Sequence, residues 1–220
     1  MTFHKEGSTS LALCILLIFV INALIQFYHP QAYAFKWIVY ILSFAFFVAV
    51  VLFFRNPSVE VVADEKVVLS PADGTVAAIE EVEETEYLKD KRIRVSVLLS
   101  PLNARVNRNP IAGTISYLKY HPGKFFAAQN AYPLTDNEHT TIVIEKSKNT
   151  MVLLRQVAGA FAKSMTWYVK DGDKVEQGQQ FGFSKFASRV DIFLPVGCKV
   201  KVEPGEAVIA GETVLAEVKG

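Results

Sequence analysis

The sequence predicts two N-terminal transmembrane helices followed by a β-rich α+β domain with a barrel-sandwich-like portion. Apolar residues make up 51% of the 220-residue chain and are concentrated in two long runs near the N-terminus. After Arg55, short β-branched runs alternate with turn residues, a pattern typical of strands. The formal net charge of +1 leaves no basic excess to neutralise phosphates, so nucleic acid is not expected as a partner.

The two apolar runs cover residues 11–27 and 37–54. Each run is long enough, as a helix, to cross a hydrocarbon core about 30 Å thick. The connection Tyr28-His29-Pro30-Gln31 contains a helix stop and leaves room only for a tight turn. We therefore expect residues 1–55 to form a transmembrane helical hairpin with both ends on one side of the membrane.

The flanking charges indicate which side that is. Lys5 and Arg55 lie at the open end of the hairpin, and Lys36 lies near its closed end. The positive-inside rule then places the termini and the following domain on the cytoplasmic side. The two cysteines, Cys14 and Cys198, provide no disulfide framework, which agrees with a reducing compartment.

The remaining residues, 56–220, are predicted to form one β-rich domain. The expected strands cover residues 59–62, 66–69, 75–79, 93–99, 114–118, 140–144 and 151–154. A helix is expected over residues 156–169, where alanine, phenylalanine and methionine recur at helical spacing.

The C-terminal part contains two segments of similar sequence. Residues 169–178 resemble residues 194–214, with glycines at positions suited to turns between short strands. The pattern resembles one half of the barrel-sandwich fold of lipoyl and biotinyl carrier modules. Such carriers present an acceptor lysine at a hairpin turn, and the tripeptide that would do so is missing here. A lipoyl/biotinyl-like fold is therefore expected without the carrier function.

Two short motifs are candidates for chemistry. On local grounds Ser70-Pro71-Ala72-Asp73-Gly74 is a β-turn, and Ala187-Ser188 is a small pair before an amphipathic strand. Considered separately, both motifs favour these structural interpretations.

Taken together, the motifs resemble the phosphatidylserine decarboxylase proenzymes of the short, membrane-anchored bacterial type. The resemblance runs from His4 to the C-terminus, and six motifs in register make it specific. They are Phe53-Phe54-Arg55-Asn56-Pro57, Ser70-Pro71-Ala72-Asp73-Gly74, Val106-Asn107-Arg108-Asn109-Pro110 with Gly113, Tyr120-His121-Pro122-Gly123-Lys124-Phe125, Asn137-Glu138, and Ser188-Arg189-Val190-Asp191.

The resemblance implies an enzyme that makes its own cofactor. The Ser188 hydroxyl would attack the carbonyl of Ala187, and elimination would split the chain into a large chain, 1–187, and a small chain, 188–220. Ser188 would become a pyruvoyl group at the new N-terminus. This group would react with the amine of phosphatidylserine and accept electrons as carbon dioxide leaves, yielding phosphatidylethanolamine.

The family also pairs an Asp with a His around the serine. Asp73 matches the Asp, whereas Arg105 stands where relatives carry His and His139 stands where Arg is usual. Three interpretations are open: His139 and Arg105 have exchanged roles and His139 is the base; the chain is a variant with weakened or absent processing; or His139 is a surface residue. A further departure is Ala187-Ser188 in place of the usual Gly-Ser pair, because Ala tolerates fewer strained backbone conformations than Gly.

The resemblance implies a phospholipid substrate and places the chain in the bacterial inner membrane. Arg105, His121 and Lys124 are candidate pocket residues. No Cys/His group has metal-ligand spacing, so no metal is expected. The oligomeric state stays open, a homo-oligomer included. The alternative function is an unprocessed or inactive membrane-tethered β-domain that acts as a scaffold or adaptor.

Overall fold

The computed structural model describes residues 2–61, 63–100, 103–123, 137–147, 150–159, 165–185 and 187–218, without the side chains of Ala187 and Ser188. The chain divides between Ser58 and Val59 into two compact units. The first unit is helical, and the second is built from β-strands.

The helical unit is a hairpin. Its elements are β1 (Thr2–Phe3), a 3-10 turn (Lys5–Gly7), α1 (Ser8–Tyr28), α2 (Tyr33–Phe53) and β2 (Arg55–Asn56), with β1 and β2 paired antiparallel. Each helix has 21 residues, which corresponds to about 30 Å of rise. Both helices are long and apolar enough to cross a membrane.

Polar side chains inside the hairpin bond to each other. Asn22 Nδ2 lies 3.3 Å from Ser43 Oγ and donates a hydrogen bond to it across the helices. Lys36 Nζ donates to Gln26 Oε1 at 3.1 Å and to the Pro30 carbonyl at 2.7 Å. The ammonium is thereby directed to the connecting turn, as expected for a lysine near a membrane boundary.

Within the residues that the structure describes, the second unit has fourteen strands in three antiparallel sheets. The strands are β3 (Val67–Leu69), β4 (Gly74–Glu84), β5 (Asp90–Leu98), β6 (Val106–Arg108), β7 (Gly113–His121), β8 (His139–Ser147), β9 (Thr150–Ala158), β10 (Met165–Trp167), β11 (Lys174–Val175), β12 (Gln180–Ser184), β13 (Ala187–Pro195), β14 (Lys199–Val200), β15 (Ala207–Val208) and β16 (Val214–Glu217). The largest sheet has eight strands in the order β11-β7-β8-β9-β13-β5-β4-β15. The orders of the smaller sheets are β10-β12-β6 and β14-β16-β3.

The core lies on one face of the eight-stranded sheet. Alternate residues of its central strands are at most 1% exposed and form one cluster, which includes Leu154, Val190 and Ile192. Burying a side chain of this size stabilises the fold by about 1.5–3 kcal/mol. A smaller apolar cluster around Leu153 and Phe193 covers part of the opposite face.

The strand pairing repeats. In one half of the domain β3, β4 and β5 pair with β16, β15 and β13, and in the other β6, β7 and β8 pair with β12, β11 and β9. Equivalent hydrogen bonds recur: Gly211 N donates to Ser70 O, and Gly178 N donates to Asn109 O, each at 2.8 Å. Both glycines have positive φ, near 77°, which residues with a Cβ rarely adopt.

Two expectations from the sequence are wrong. Residues 156–169 do not form a helix, because the chain is a strand through Ala158 and again at Met165–Trp167; residues 160–164 lie outside the described part. Pairing of β9 with both β8 and β13 overrides the helical spacing. Residues 59–61 form no strand, and Val62 is not described.

A row of paired residues crosses six strands at one end of the large sheet. It runs His121, His139, Val157, Arg189, Leu98 and Thr75, from β7 to β4. Neighbouring strands are about 4.8 Å apart. The backbones at His139 and Thr75 therefore lie on either side of Arg189, each at roughly 10 Å.

Candidate functional site

Ser188 lies in a β-bulge at this end of the sheet. Ala187 pairs with Ala158 and Arg189 pairs with Val157, so Ser188 is an extra residue with no counterpart on β9. Bulges are frequent beside active sites, where they change the direction of a side chain or interrupt the ladder. The main chain at the predicted cleavage position is thus irregular within an otherwise regular strand.

The strand after the bulge is fixed by a buried carboxylate. Asp191 is 1% exposed, and its two oxygens accept from Ser96 Oγ at 2.6 Å and from the Arg189 guanidinium at 2.8 Å. Removing one partner of such a buried pair is strongly destabilising. Arg189 and Asp191 therefore hold β13 in register immediately beyond Ser188.

Asp73 joins three segments. Its Oδ1 accepts from the Ala210 amide at 2.9 Å, and its Oδ2 accepts from the Ala104 amide at 3.3 Å. The carboxylate thereby links the turn before β4 to the residue preceding Arg105 and to the chain after β15. Asp73 lies two residues before Thr75, at the same end of the sheet as Ser188.

Arg105 is close in structure to the strand that leads to Ser188. Its carbonyl accepts from the Ser184 amide at 2.8 Å, and its side chain is buried. Burial lowers the pKa of the Arg105 guanidinium. The structure thus brings Asp73, Arg105 and the approach to Ser188 into one region.

A buried amide network supports this region from the core side. Gln156 Nε2 donates to Asn107 Oδ1 at 2.7 Å, and the Ser184 hydroxyl donates to the same oxygen at 2.5 Å. All three residues are fully buried. The network connects β6 and β12, which belong to the β10-β12-β6 sheet, to β9 of the large sheet.

His139 belongs to a different cluster. Its ring stacks on His121 with centroids 4.4 Å apart, and its Nδ1 lies 2.8 Å from the Asn137 carbonyl oxygen. Because a carbonyl only accepts, Nδ1 carries the proton and Nε2 keeps a lone pair. The structure thus brings His139 and His121 together on paired positions of β8 and β7.

Glu86 is the centre of that cluster. Its Oε1 lies 2.5 Å from His121 Nε2, and its Oε2 accepts from Thr141 Oγ1 at 2.9 Å and from the Arg155 guanidinium at 2.8 Å. Burial alone would raise the pKa of Glu86, but the hydrogen bonds and the charge of Arg155 outweigh it and lower the pKa. Burial and the neighbouring Glu86 raise the pKa of Tyr117 to about 12.

The acidic half of this cluster was not predicted from the sequence. Glu84 is 2% exposed, and its carboxylate accepts from the amides of Glu86, Tyr87 and Leu88 at 2.8–2.9 Å. The Arg155 guanidinium also donates to Glu84 at 3.1 Å. In the sequence these glutamates are part of an ordinary charged hairpin tip, and only folding shows their partners. Lys124, a predicted pocket residue, lies outside the described residues.

Comparison with known proteins gives a family match over most of the chain. A model of the phosphatidylserine decarboxylase family matches residues 46–216. The phosphatidylserine decarboxylase proenzyme of Cytophaga hutchinsonii is 44% identical over 217 residues, 99% of each chain. That of Amoebophilus asiaticus is 44% identical over 169 residues, 77% of this chain and 75% of the relative. That of Bacteroides thetaiotaomicron is 38% identical over 217 residues, 98% of this chain and 95% of the relative.

We predict a pH dependence of stability that originates at His139. Burial, with the charges of Arg155 and His121, lowers its folded pKa against the opposing effects of Asn137 and Glu86. As the pH falls below about 6.5, the unfolded chain therefore takes up this proton first, and stability decreases toward the folded pKa. His139→Gln should reduce the loss of Tm between pH 7.0 and 5.5, measured in detergent with EDTA. A change of 1 kcal/mol shifts Tm by about 2–4 °C for a chain of this size.

The matched control is His29→Gln, which replaces an exposed histidine between the two helices. It should lose as much Tm over this pH range as the unaltered chain. An equal loss in the His139 variant would contradict the prediction.

Proposed function

The chain belongs to the phosphatidylserine decarboxylase family, and we propose that it converts phosphatidylserine to phosphatidylethanolamine with a pyruvoyl group made from its own Ser188. It is a carboxy-lyase in this proposal, and the name proenzyme of its relatives implies self-cleavage. The main structural support is the β-bulge that sets Ser188 out of the ladder. The alternative, an inactive scaffold, is favoured only by the substitutions at positions 105 and 187.

In self-cleavage the Ser188 oxygen attacks the carbonyl carbon of Ala187 and displaces the amide nitrogen. An ester thereby replaces the peptide bond. Loss of the Cα proton of residue 188 then breaks the bond between its Cβ and the ester oxygen, so that residue 187 leaves as a carboxylate and residue 188 becomes dehydroalanine. The imine tautomer of this residue reacts with water, which releases ammonia and leaves the pyruvoyl ketone. A bulge suits the first step because Ser188, which carries the attacking hydroxyl, is not held in a regular ladder with β9. The pyruvoyl group, once formed, supplies a ketone that reacts with an amine and withdraws electrons from the bond to the carboxyl group.

Asp73 is proposed as the carboxylate of the site. The two backbone amides that bond to it fix its orientation at the end of the sheet that also carries Ser188. Because His139 lies on the opposite side of Arg189 from Thr75, Asp73 is proposed to stabilise positive charge that develops near Ser188 and not to orient the His139 ring. Arg105 lies on the adjacent segment and is proposed to line the pocket, together with His121 and Lys124.

His139 is proposed as the base. Its Nε2 keeps a lone pair because Nδ1 donates to the Asn137 carbonyl, and its lowered pKa keeps the ring neutral near pH 7. Its backbone lies about two strands from β13, so proton transfer requires an intervening water or a movement of the side chain.

The two apolar helices are proposed to anchor the domain at the cytoplasmic face of the bacterial inner membrane, where its phospholipid substrate lies. Anchoring confines the encounter between enzyme and lipid to the membrane plane. The paired turns at Gly172, Gly178, Gly205 and Gly211, all with positive φ, support a barrel-sandwich relationship with lipoyl-like folds.

Replacing the nucleophile should abolish cleavage. An intact mass spectrum of the purified chain should show a small fragment that begins at residue 188 with a blocked, carbonyl-bearing terminus. Ser188→Ala should give a single uncut chain, and Ser147→Ala, at an exposed position at the end of β8, should cleave normally. A wild-type chain that remains at 24.5 kDa would overturn the proposal.

Replacing Ala187 with glycine, the usual residue of the family at this position, should speed cleavage. Ala187→Gly lowers the cost of the strained backbone conformation required for attack, by about 1 kcal/mol or roughly fivefold in rate. The rate is measured from the uncut fraction on gels after synthesis is stopped. Ala77→Gly, at an exposed position in β4, is the control and should leave the rate unchanged. Equal rates in the unaltered chain and Ala187→Gly would contradict the strain argument.

An exchange of roles between Arg105 and His139 can be tested by reversal. His139→Gln should slow cleavage by about 100-fold or more, as expected for the loss of a general base. Adding Arg105→His to this variant should restore much of the rate, because a histidine returns to the position used by relatives. If His139→Gln cleaves at the normal rate, His139 is not the base.

A further inference from the structure

We infer that Glu86, His121 and His139 form a binding site for one divalent transition-metal ion of the zinc class. One ligand atom from each of the three residues lies within 4.8 Å of the others. Two imidazoles and one carboxylate are a donor set that zinc uses in proteins, with a fourth position left for water. The three residues are far apart in sequence, so their spacing contains no recognisable metal motif.

The groups around the three ligands have the arrangement of a metal site. His139 Nδ1 donates to the Asn137 carbonyl, and this directs the Nε2 lone pair away from the backbone. Histidines that bind metals commonly make such a bond with their other ring nitrogen. Thr141 and Arg155 bond to Oε2 of Glu86, which leaves Oε1 directed at His121 Nε2.

The charge balance is compatible with a cation. Arg155 contacts two carboxylates, those of Glu84 and Glu86, at 3.1 and 2.8 Å. This local group therefore has one negative charge in excess when the histidines are neutral. Tyr117 also donates to Glu86 Oε1, at 3.1 Å. Because Oε2 is bonded to Thr141 and Arg155, the carboxylate would bind a metal through Oε1 alone.

Ion binding replaces a proton. The Nε2 of His121 lies 2.5 Å from a carboxylate oxygen, which can only accept, so a proton lies between them. A zinc ion with bonds of about 2.1 Å needs ligand atoms about 3.4 Å apart, so these two atoms separate by roughly 1 Å as the ion takes the place of the proton. The side chains of His121 and Glu86 are 26% and 16% exposed, which provides a path of entry.

This site shares His139 and His121 with the site proposed for the chemistry at Ser188, and only Glu86 is new to it. An ion bound to Nε2 prevents that nitrogen from accepting a proton, so ion binding and action as a base exclude each other. A zinc-class ion would therefore hold back cleavage if His139 is the base. Binding and cleavage have separate readouts, so failure of one proposal leaves the other testable.

The test is a titration of the full chain with Co²⁺, which gives intense visible absorption when it is four-coordinate. The chain is purified in detergent without a polyhistidine tag, treated with EDTA and desalted. One Co²⁺ per chain should bind saturably and be displaced by Zn²⁺. His139→Gln and Glu86→Gln should each weaken binding at least tenfold, because each removes one ligand. His29→Gln, outside the cluster, should bind as the unaltered chain does.

Thermal unfolding in EDTA checks that each variant folds, and Zn²⁺ should raise the Tm of the unaltered chain more than that of either ligand variant. The inference is overturned if the unaltered chain shows no saturable binding. It is also overturned if folded His139→Gln and Glu86→Gln variants both bind with unchanged affinity, because the ion is then bound elsewhere. If a ligand variant does not fold, the milder His121→Asn must weaken binding for the inference to stand.

Discussion

The hydrogen bonding of β13 on both sides is the constraint on which the rest of the β domain depends. This strand pairs with β9 along one side and with β5 along the other. It contributes Val190, Ile192 and Leu194 to the main core and Phe193 to the smaller cluster on the opposite face. Because both faces and both edges are occupied, the strand cannot slip in register without losing the core and the Asp191 pair together. The bulge at Ser188 is therefore an irregularity held in place by a rigid strand.

At the end of the large sheet that carries Ser188, the two faces of the sheet differ in chemistry because each packs against a different part of the domain. On the core side, β9 meets the smaller sheet through the Gln156–Asn107–Ser184 network, where water is excluded and every amide needs a partner. On the other side, the hairpin between β4 and β5 places Glu84 and Glu86 against Arg155. Neutral hydrogen bonds thus support the region of Asp73 and Arg105, whereas paired charges surround His121 and His139.

The sequence was sufficient for features that depend on local pattern. The apolar runs predicted a helical hairpin, the family motifs predicted the decarboxylase relationship, and both are confirmed. Alternating β-branched residues located β3, β4, β5, β7, β8 and the first part of β9. The end of β9 was mistaken for a helix, because its pairing with two neighbouring strands outweighs the helical spacing of a few alanines. The Glu86–His121–His139 cluster could not be predicted, because its members meet only when the β4–β5 hairpin folds over the ends of β7 and β8. Likewise, the bulge at Ser188 follows from the register of two neighbouring strands and has no local signal.

The repeated pairing has a consequence for a chain that is cut. One half of the domain, β6 to β12, is continuous and lies in the sequence between the two parts of the other half, β3 to β5 and β13 to β16. The bond between residues 187 and 188 is located at the junction where the inserted half ends and the interrupted half resumes. Scission of this bond would leave the inserted half continuous and would place β13 to β16 on a separate chain from their partners β3 to β5. A new N-terminus would therefore arise in the middle of a sheet, and the pairing of β13 with β5, of β15 with β4 and of β16 with β3 would hold the short fragment non-covalently.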